Sequence, residues 1–292
     1  MPRPEPDRAS PPRAHGKEDP RISVIVCAYN RAPMLDACLR SIRAQDHPSF
    51  EVLVMDDAST DGAIDVARRH EREDPRVRVF GRDTNAGSPT NLAEAHAHAR
   101  GDYIGWVDSD DLILPDCLSS CAAVLDEKPG VGCVYTDQMV IDEHNRPVGY
   151  GHRAAIPYSK DRLLVDFMTF HFRLYRRVHY DKIGGVDGRL RFAADYDFCL
   201  RLSEVAEFER VDRPLYLYRQ HAATISTSRR LDQIRASADA VRRALIRRGM
   251  DETHRLDVEL IGRFQLVSRD GDSEALHADG LPPTPDASPT DL

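Results

Sequence analysis

The chain has 292 residues, with 40 Lys and Arg against 48 Asp and Glu, and its formal net charge is -8. This length predicts one or two domains, and a hydrophobic fraction of 41% is enough for a sizeable core, which excludes wholesale disorder. A net acidic chain argues against a dedicated nucleic-acid partner, because such proteins usually carry a basic excess. No apolar run approaches the ~18 residues of a membrane-spanning helix, and residues 1–20 lack the apolar stretch of a secretory signal.

Prolines and cysteines outline the folded part of the chain. Residues 1–20 hold six of the 19 prolines and residues 269–292 hold four, and neither end shows apolar periodicity. We expect both ends to be disordered tails. The six cysteines are spread out without a CxxC pair, which argues against a zinc site. They are typical of buried thiols in a reducing, cytoplasmic protein.

Apolar strands alternate with amphipathic helices through the first half of the chain. Ile22–Ala28 is a nearly continuous apolar run, as is typical of a strand buried on both faces. The alternation continues with predicted strands at 50–55, 77–80, 103–107 and 131–135 and predicted helices at 35–42, 61–73, 89–99 and 115–127. This order predicts an α/β protein with a mostly parallel, Rossmann-like sheet.

The pattern changes after residue 140. An extended excursion is expected at 141–160, followed by a strand at 170–176, a helix at 197–205 and a short strand at 215–218. We expect α+β material that packs on the first half. An amphipathic helix at 229–248 carries seven Arg against two Asp. Two interpretations fit this charge: a solvated helix face, or peripheral contact with an acidic membrane surface at the cytoplasmic side.

Three polar clusters follow directly on apolar strands. Tyr29 and Asn30 end the first strand, Asp56 and Asp57 end the second, and the run Asp-Ser-Asp-Asp at 108–111 ends the fourth. In open α/β sheets ligands bind beyond the carboxyl ends of the strands, so the clusters should line one crevice. Helix caps and turns explain one acidic loop, but three at the same edge are harder to explain in that way.

The run 108–111 suits a hard divalent cation. In extended backbone Asp108 and Asp110 point the same way, and two close carboxylates repel unless a cation joins them. Mg²⁺ or Mn²⁺ usually binds one or two carboxylates together with the phosphates of a substrate. A solvated turn that caps the helix at 115 is the alternative. No GxGxxG and no Walker loop follows a strand, so dinucleotide-binding and P-loop functions lose support.

Six segments resemble family 2 glycosyltransferases in their order and spacing. They are residues 22–31, 56–61, 85–91, 107–111, 183–202 and 218–226. The resemblance implies a GT-A fold and inverting transfer from a nucleotide-diphosphate sugar, such as a UDP-sugar, to an acceptor hydroxyl. That acceptor would be a saccharide, a lipid-linked hydroxyl or a small molecule.

The resemblance also implies roles for single residues. Asp195 would be the general base, and Mn²⁺ or Mg²⁺ would be held by Asp108, Asp110, Asp111 and His221. The nucleotide sugar would be bound by Ala28, Tyr29, Asn30, Asp57, Asn85, Gly87, Asn91, Asp108 and Arg219. Three positions depart from the family pattern: Ala58 replaces the usual Gly, Thr90 a frequent Arg, and Ala194 the usual Glu.

The expected organisation places a GT-A domain between two tails. Its parts are a tail at 1–20, the GT-A domain at 21–228 with a nucleotide-sugar half (21–140) and an acceptor half (141–228), a helical extension at 229–268 and a tail at 269–292. Because Ala194 replaces Glu, an inactive sugar-nucleotide binder of the same fold is an alternative. A phosphoacceptor receiver domain fits less well, because a complete strand–helix unit precedes Asp56. A sugar-1-phosphate nucleotidyltransferase would need a Gly-rich basic loop after the first strand.

Overall fold

The computed structural model describes residues 19–151, 153–221 and 229–259. All but residues 19 and 20 of the expected N-terminal tail, and the whole of the expected C-terminal tail, lie outside these residues. Ser226 of the closing segment and the expected helical extension beyond residue 259 lie outside them as well.

Four parallel strands form the first half of the sheet, in the order β3-β2-β1-β4. Their bounds are Ile22–Ala28 (β1), Phe50–Asp56 (β2), Val77–Gly81 (β3) and Tyr103–Trp106 (β4), with the helices Ala32–Arg43 (α1), Ala63–Glu73 (α2) and Ser88–His98 (α3) between them. Ile22 of β1 lies opposite both Phe50 and Tyr103. The strand–helix alternation predicted for this half is confirmed.

The second half extends the same sheet. Its elements are Leu112–Ile113 (β5), Cys117–Glu127 (α4), Val131–Ile141 (β6), Pro147–Tyr150 (β7), Arg173–Arg176 (β8), Arg177–Lys182 (α5), Ala194–Leu202 (α6), Glu207–Arg219 (β9) and Arg230–Arg247 (α7). The full order is β3-β2-β1-β4-β8-β6-β9-β5, with β7 beside β6. β8 lies between β4 and β6 and pairs with both in the antiparallel direction. The chain therefore returns to the middle of the sheet after β6 and β7. The predicted α/β fold with an α+β second half is confirmed.

Element boundaries in the second half differ from expectation. The strand expected at 215–218 is only the end of β9, and the helix expected at 197–205 is α6, which begins at Ala194. β9 pairs with β6 along its length through several register shifts, although the first half of β9 is only partly buried. A local apolar pattern therefore underestimates a strand that long-range pairing supports.

Apolar side chains pack on both faces of the sheet. Along β1, Val24 and Val26 belong to one apolar layer and Ile25 to the other, and all three are fully buried. Helices α1 and α4 cover the first layer, while α3, α6 and α7 cover the second. A strand covered on both faces needs apolar residues at every position, which explains the continuous run of β1. All six cysteines are free and five of them are buried, as expected of small apolar side chains.

Ion pairs take up much of the charge on α7. Five of the seven arginines at 229–248 lie within ion-pair distance of a carboxylate. Arg243 pairs with Asp197 of α6, and Arg247 pairs with Glu204 just beyond that helix. These contacts favour the solvated-face interpretation, and membrane contact stays a prediction. Within the three described ranges, no helix is both long and apolar enough to cross a membrane.

His96 is a buried histidine in the second apolar layer. Its ring stacks on Tyr180 with 3.7 Å between the centroids, and its Nε2 contacts the Tyr175 hydroxyl. Burial lowers the pKa of His96 to about 4, whereas a histidine in an unfolded chain titrates near pH ~6.5. Between these values the unfolded chain binds a proton that the folded protein does not bind. Stability therefore falls as the pH falls through this window.

We expect His96 alone to lower the free energy of unfolding by roughly 2 kcal/mol between pH 7 and pH 4.5. The variant His96→Gln should lose correspondingly less stability over this range in urea titrations. His98→Gln replaces an exposed histidine of the same helix and is the matched control, which should keep the wild-type pH dependence. Equal pH dependence in His96→Gln and the wild type would contradict the prediction.

Candidate active site

The carboxyl ends of β1, β2 and β4 meet at one edge of the sheet, because these strands are parallel. Ala28, Asp56 and Trp106 end the three strands, and the polar clusters follow them. β8 starts at the same edge, since it is antiparallel to β4 and Leu174 pairs with Gly105. The residues just before β8 therefore lie beside those just after β4.

Asp110 lies at the centre of one cluster of polar side chains. Its Oδ2 is 2.9 Å from Nε2 of His221 and 3.5 Å from Nε of Arg31. His221 follows β9, 111 residues further along the chain, and its side chain is almost fully buried. A carboxylate, an imidazole and a guanidinium from three separate segments thus meet at this edge.

Asp111 and Arg219 tie β9 to the acidic loop. Both carboxylate oxygens of Asp111 accept hydrogen bonds at 2.7 Å, one from the Tyr216 hydroxyl and one from the backbone N–H of Arg219. The guanidinium of Arg219 donates to the backbone carbonyls of Asp110 and Asp142, and the residue is 2% exposed. Internal partners thus occupy both side chains, and the metal role expected of Asp111 and the nucleotide-sugar role expected of Arg219 stay predictions.

A second group of side chains runs from Asp108 to Asp195. Nε2 of His171 is 3.5 Å from Oδ2 of Asp108, and Nη2 of Arg173 is 3.3 and 3.4 Å from the two ring nitrogens of His171. Arg173 Nη2 is also 3.7 Å from Oδ2 of Asp195. Asp195 stands in the first turn of α6 and has a side chain 36% exposed, whereas that of Arg173 is 1% exposed. The two carboxylates are thus linked through a buried imidazole and a buried guanidinium.

Crowded charges shift the protonation of this group. Partial removal from water and the neighbouring Asp110 and Asp195 carboxylates raise the pKa of Asp108 to about 7, although its side chain is 46% exposed. Burial and the nearby Arg173 lower the pKa of His171 well below its usual value, so its imidazole is neutral at physiological pH. The concentration of carboxylates at this edge is an arrangement that a bound cation would relieve.

Asp57 organises the loop between β3 and α3. Its two carboxylate oxygens accept hydrogen bonds from the backbone N–H groups of Ala86 and Gly87, each at 2.8 Å. Asn85 Nδ2 donates to the backbone carbonyl of Asp57, and Asn91 Nδ2 donates to that of Gly87. Four residues expected to bind the nucleotide sugar therefore form one hydrogen-bonded unit.

Tyr29 and Asn30 form the turn that follows β1. Asn30 has a positive φ of 51°, and its Oδ1 accepts the backbone N–H of Thr60 at 2.8 Å. Its own N–H donates to Oγ of Ser59 at 3.1 Å, which fastens this turn to the one after β2. Ala28 before the turn is buried, whereas Tyr29 is 48% exposed. An exposed aromatic ring beside the acidic edge offers a stacking surface for a planar group.

The side chains at this edge fit a hard divalent cation. In the part of the chain that the structure describes, no three His, Cys, Asp or Glu side chains surround one point. Asp110 and His221 nevertheless bring a carboxylate oxygen and an imidazole nitrogen within 2.9 Å of each other. Mg²⁺ and Mn²⁺ commonly take few protein ligands and complete their shell with water and substrate phosphates. This pair matches such a partial ligand set.

Comparison with known families connects these clusters. The sequence model of Glycosyl transferase family 2 matches residues 23–184, more than half of the chain. The chain belongs to glycosyl transferase family 2. The matched segment contains the turns after β1, β2 and β4, together with β8. Membership of this family removes the support for the receiver-domain alternative.

Two curated relatives of this family 2 chain are much longer proteins. The chain is 31% identical to the chondroitin synthase of Escherichia coli over 201 residues, which cover 68% of this chain and 29% of that protein. It is 29% identical to the hyaluronan synthase of Pasteurella multocida over 203 residues, which cover 70% of this chain and 21% of that protein. The chain thus spans less than a third of the length of these relatives.

Solved structures of glycosyltransferases share the fold at low sequence identity. S. aureus TarS 1–349 in complex with UDP matches 75% of this chain and 65% of its own, with a TM-score of 0.59 and 24% identity. The mannosyltransferase PcManGT from Pyrobaculum calidifontis, in complex with GDP-Man and Mn²⁺, matches 82% of this chain and 77% of its own, with a TM-score of 0.57 and 19% identity. The predicted GT-A fold is confirmed.

Replacing Asp111 by alanine should reduce the stability of this family 2 chain. The change leaves the Tyr216 hydroxyl and the Arg219 N–H without their buried acceptor, and each unsatisfied group costs about 1–3 kcal/mol. We expect a lower urea midpoint for Asp111→Ala than for the wild type. An unchanged midpoint would contradict this structural role.

Three further residues at this edge of the family 2 fold are missing from the sequence-based prediction. Arg31 contacts Asp110, while His171 and Arg173 link the two carboxylates described above. Alternation within the strand predicted at 170–176 places His171 and Arg173 on one face, which is a usable pattern. The position of that strand beside β4 follows only from the sheet order.

Proposed function

We propose that the protein transfers a sugar from a nucleotide-diphosphate sugar, a UDP-sugar, to an acceptor hydroxyl with inversion at the anomeric carbon. The observation that carries this proposal is the chain of contacts from Asp108 through His171 and Arg173 to Asp195, at 3.5, 3.3 and 3.7 Å, which starts in the same acidic loop as Asp110. Asp108 and Asp110, at one end of this group, suit a diphosphate with its cation. Asp195, at the other end, suits an acceptor hydroxyl that loses a proton. TarS structures with UDP and with UDP-GlcNAc, and PcManGT with GDP-Man and Mn²⁺, support the donor class.

On the donor side, Asp110, Asp108 and His221 would hold Mn²⁺ or Mg²⁺. A bound cation would neutralise the negative charge that develops on the departing diphosphate. Arg31 adds a positive charge 3.5 Å from Asp110. The exposed ring of Tyr29 would stack on the base, because this residue follows β1 at the same edge. The loop shaped by Asp57 borders this binding surface.

On the acceptor side, Asp195 would take the proton of the attacking hydroxyl. A carboxylate in this position typically contributes ~10²–10⁴-fold to the rate. The side chain is partly exposed, so a hydroxyl can reach it. Asp197 in the same helical turn is unsuited to this role, because it is 3% exposed and paired with Arg201 and Arg243. Asp195 is therefore the carboxylate of α6 that meets the requirement.

The setting and organisation follow from the same proposal. Chondroitin synthase and hyaluronan synthase among the relatives favour a role in polysaccharide or glycoconjugate biosynthesis. The single sheet that runs from β1 to β9 favours one GT-A domain over residues 21–228, with the nucleotide-sugar half at 21–140 and the acceptor half at 141–228. Helix α7, at the start of the expected extension, packs against α6 of the acceptor half.

A thermal-shift screen followed by a transfer assay tests the proposed function. Nucleotide sugars are added with and without Mn²⁺, because a ligand that binds the folded state raises the apparent stability. Donors that bind are then assayed for release of nucleoside diphosphate and for product with saccharide, lipid-linked and small-molecule acceptors. Binding without transfer would favour the inactive binder suggested by Ala194. No binding of any nucleotide sugar would overturn the proposal.

A further inference from the structure

Arg173 is a buried cation with an incomplete set of hydrogen bonds. Its side chain is 1% exposed, and its Nε has no partner among the described residues. Nη1 donates to the Thr169 carbonyl at 2.9 Å and lies 3.3 Å from Sγ of Cys199. The rings of Trp106 and Phe167 lie 4.9 and 5.4 Å from its Cζ. A guanidinium in such surroundings is costly unless a negative charge lies nearby.

Asp195 supplies that negative charge. In the described chain, its carboxylate is the one that comes within ion-pair distance of Arg173, at 3.7 Å from Oδ2 to Nη2. The other oxygen, Oδ1, accepts the backbone N–H of Tyr196 at 2.9 Å. His171 contacts the same Nη2, but an imidazole offers it no negative charge. Each oxygen of the partly exposed carboxylate thus has a fixed partner on the protein side.

We propose that Arg173 is a positioning residue, which holds the Asp195 carboxylate in the orientation that receives the proton of the acceptor hydroxyl. This inference rests on the proposed function, because it gives Asp195 its task. The aromatic rings around the guanidinium restrict its movement, so the ion pair restricts the carboxylate in turn. A reacting group misplaced by about 1 Å can cost about 100-fold in rate.

A purely structural role for Arg173 makes a different prediction. In that case Arg173 only holds the segment before β8 against α6. Its loss should then lower kcat by the same factor whether or not Asp195 is present. If Arg173 acts through Asp195, its loss should matter only while the carboxylate is there. A double-mutant cycle therefore separates the two roles.

The cycle combines Arg173→Met with Asp195→Asn in the full chain. We expect Arg173→Met to lower kcat for transfer by about 10- to 100-fold while the KM for the donor stays within about twofold. In the Asp195→Asn background the same change should lower kcat by less than about threefold. Arg173→Lys should recover part of the lost rate, because it keeps the cation but lacks the planar fork of arginine.

Arg176→Met is the matched control on the same strand. Arg176 donates to the backbone carbonyls of Leu125 and Val131, and the described residues place no carboxylate within ion-pair distance of it. This variant should lower the melting temperature and leave kcat unchanged. Equal losses of kcat on replacing Arg173 in both backgrounds would overturn the inference and leave the proposed function intact.

A stability cycle tests the inference without any substrate. Urea midpoints are measured for Arg173→Met, Asp195→Asn and the double variant. We expect the double variant to lose less than the sum of the single losses, because removing one charge already breaks the pair. Additive midpoints would overturn the inference. Absence of transfer by the wild type with every donor that it binds would overturn the proposed function instead.

Discussion

Asp195→Asn is expected to keep donor binding and to lower the turnover number for sugar transfer at least about a hundredfold. Asparagine has nearly the same shape, and its side-chain oxygen can still accept the N–H of Tyr196 that Asp195 accepts at 2.9 Å. It cannot take a proton from a hydroxyl, however, so the acceptor would attack without a base. Initial rates of nucleoside diphosphate release with a saturating acceptor measure the loss, and calorimetry with UDP and Mn²⁺ checks that the donor side is intact.

Asp197→Asn is the matched control, because it makes the same change two residues further along the same helix. Asp197 is buried, with Nε of Arg201 at 2.7 Å and Nη2 of Arg243 at 3.4 Å from its oxygens. Weakening these pairs should lower the urea midpoint and leave the turnover of the folded protein within about threefold. An unchanged turnover in Asp195→Asn would remove Asp195 from the mechanism.

The location of the site was predictable from strand direction. β1 and β2 are buried on both faces and read as apolar runs, and polar residues stand at or directly after the end of each strand. Parallel strands place those ends at one edge, so Asn30, Asp57 and Asp108 were expected to share it. The resemblance to family 2 glycosyltransferases added Asp195 and His221, which no local pattern connects with this edge.

The orientation of individual side chains was not predictable, because it depends on contacts that are distant in the chain. Two adjacent carboxylates illustrate this. Asp110 contacts the His221 imidazole, whereas Asp111 accepts a hydrogen bond from the hydroxyl of Tyr216, 105 residues away. No periodicity distinguishes the two. Likewise, the Arg219 guanidinium donates to the backbone carbonyl of Asp110, a contact that no sequence pattern predicts.

The glycine that the family usually has at position 58 has a local physical reason. Ala58, which stands where the family usually has Gly, adopts a positive φ of 62°. Glycine enters this region freely, whereas a Cβ makes it unfavourable by roughly 1 kcal/mol. The turn after β2 therefore keeps its conformation with a less suitable residue. Its hydrogen bonds, including the one from Ser59 N–H to Oδ2 of Asp56, support that conformation.

Asp110→Ala is expected to abolish the effect of Mn²⁺ on UDP binding. Asp110 is the point at which Arg31 and His221 converge, and its loss would remove the carboxylate that lies beside the His221 imidazole. Calorimetry with UDP, with and without Mn²⁺, measures the effect in the wild type and in Asp110→Ala. Asp111→Ala is the matched control, because its oxygens are used by Tyr216 and Arg219 and the Mn²⁺ effect should survive.

In Asp110→Ala, the UDP affinities measured with and without Mn²⁺ should become equal, and the metal-free affinity should set the common value. Without metal, the wild-type Asp110 carboxylate repels a diphosphate and pairs with Arg31 at 3.5 Å. Its removal ends the repulsion, so metal-free affinity should stay equal or rise. Affinity with Mn²⁺ should fall to that same value. A persistent gain from Mn²⁺ in Asp110→Ala would place the cation elsewhere, and equal wild-type affinities in both conditions would contradict metal assistance itself.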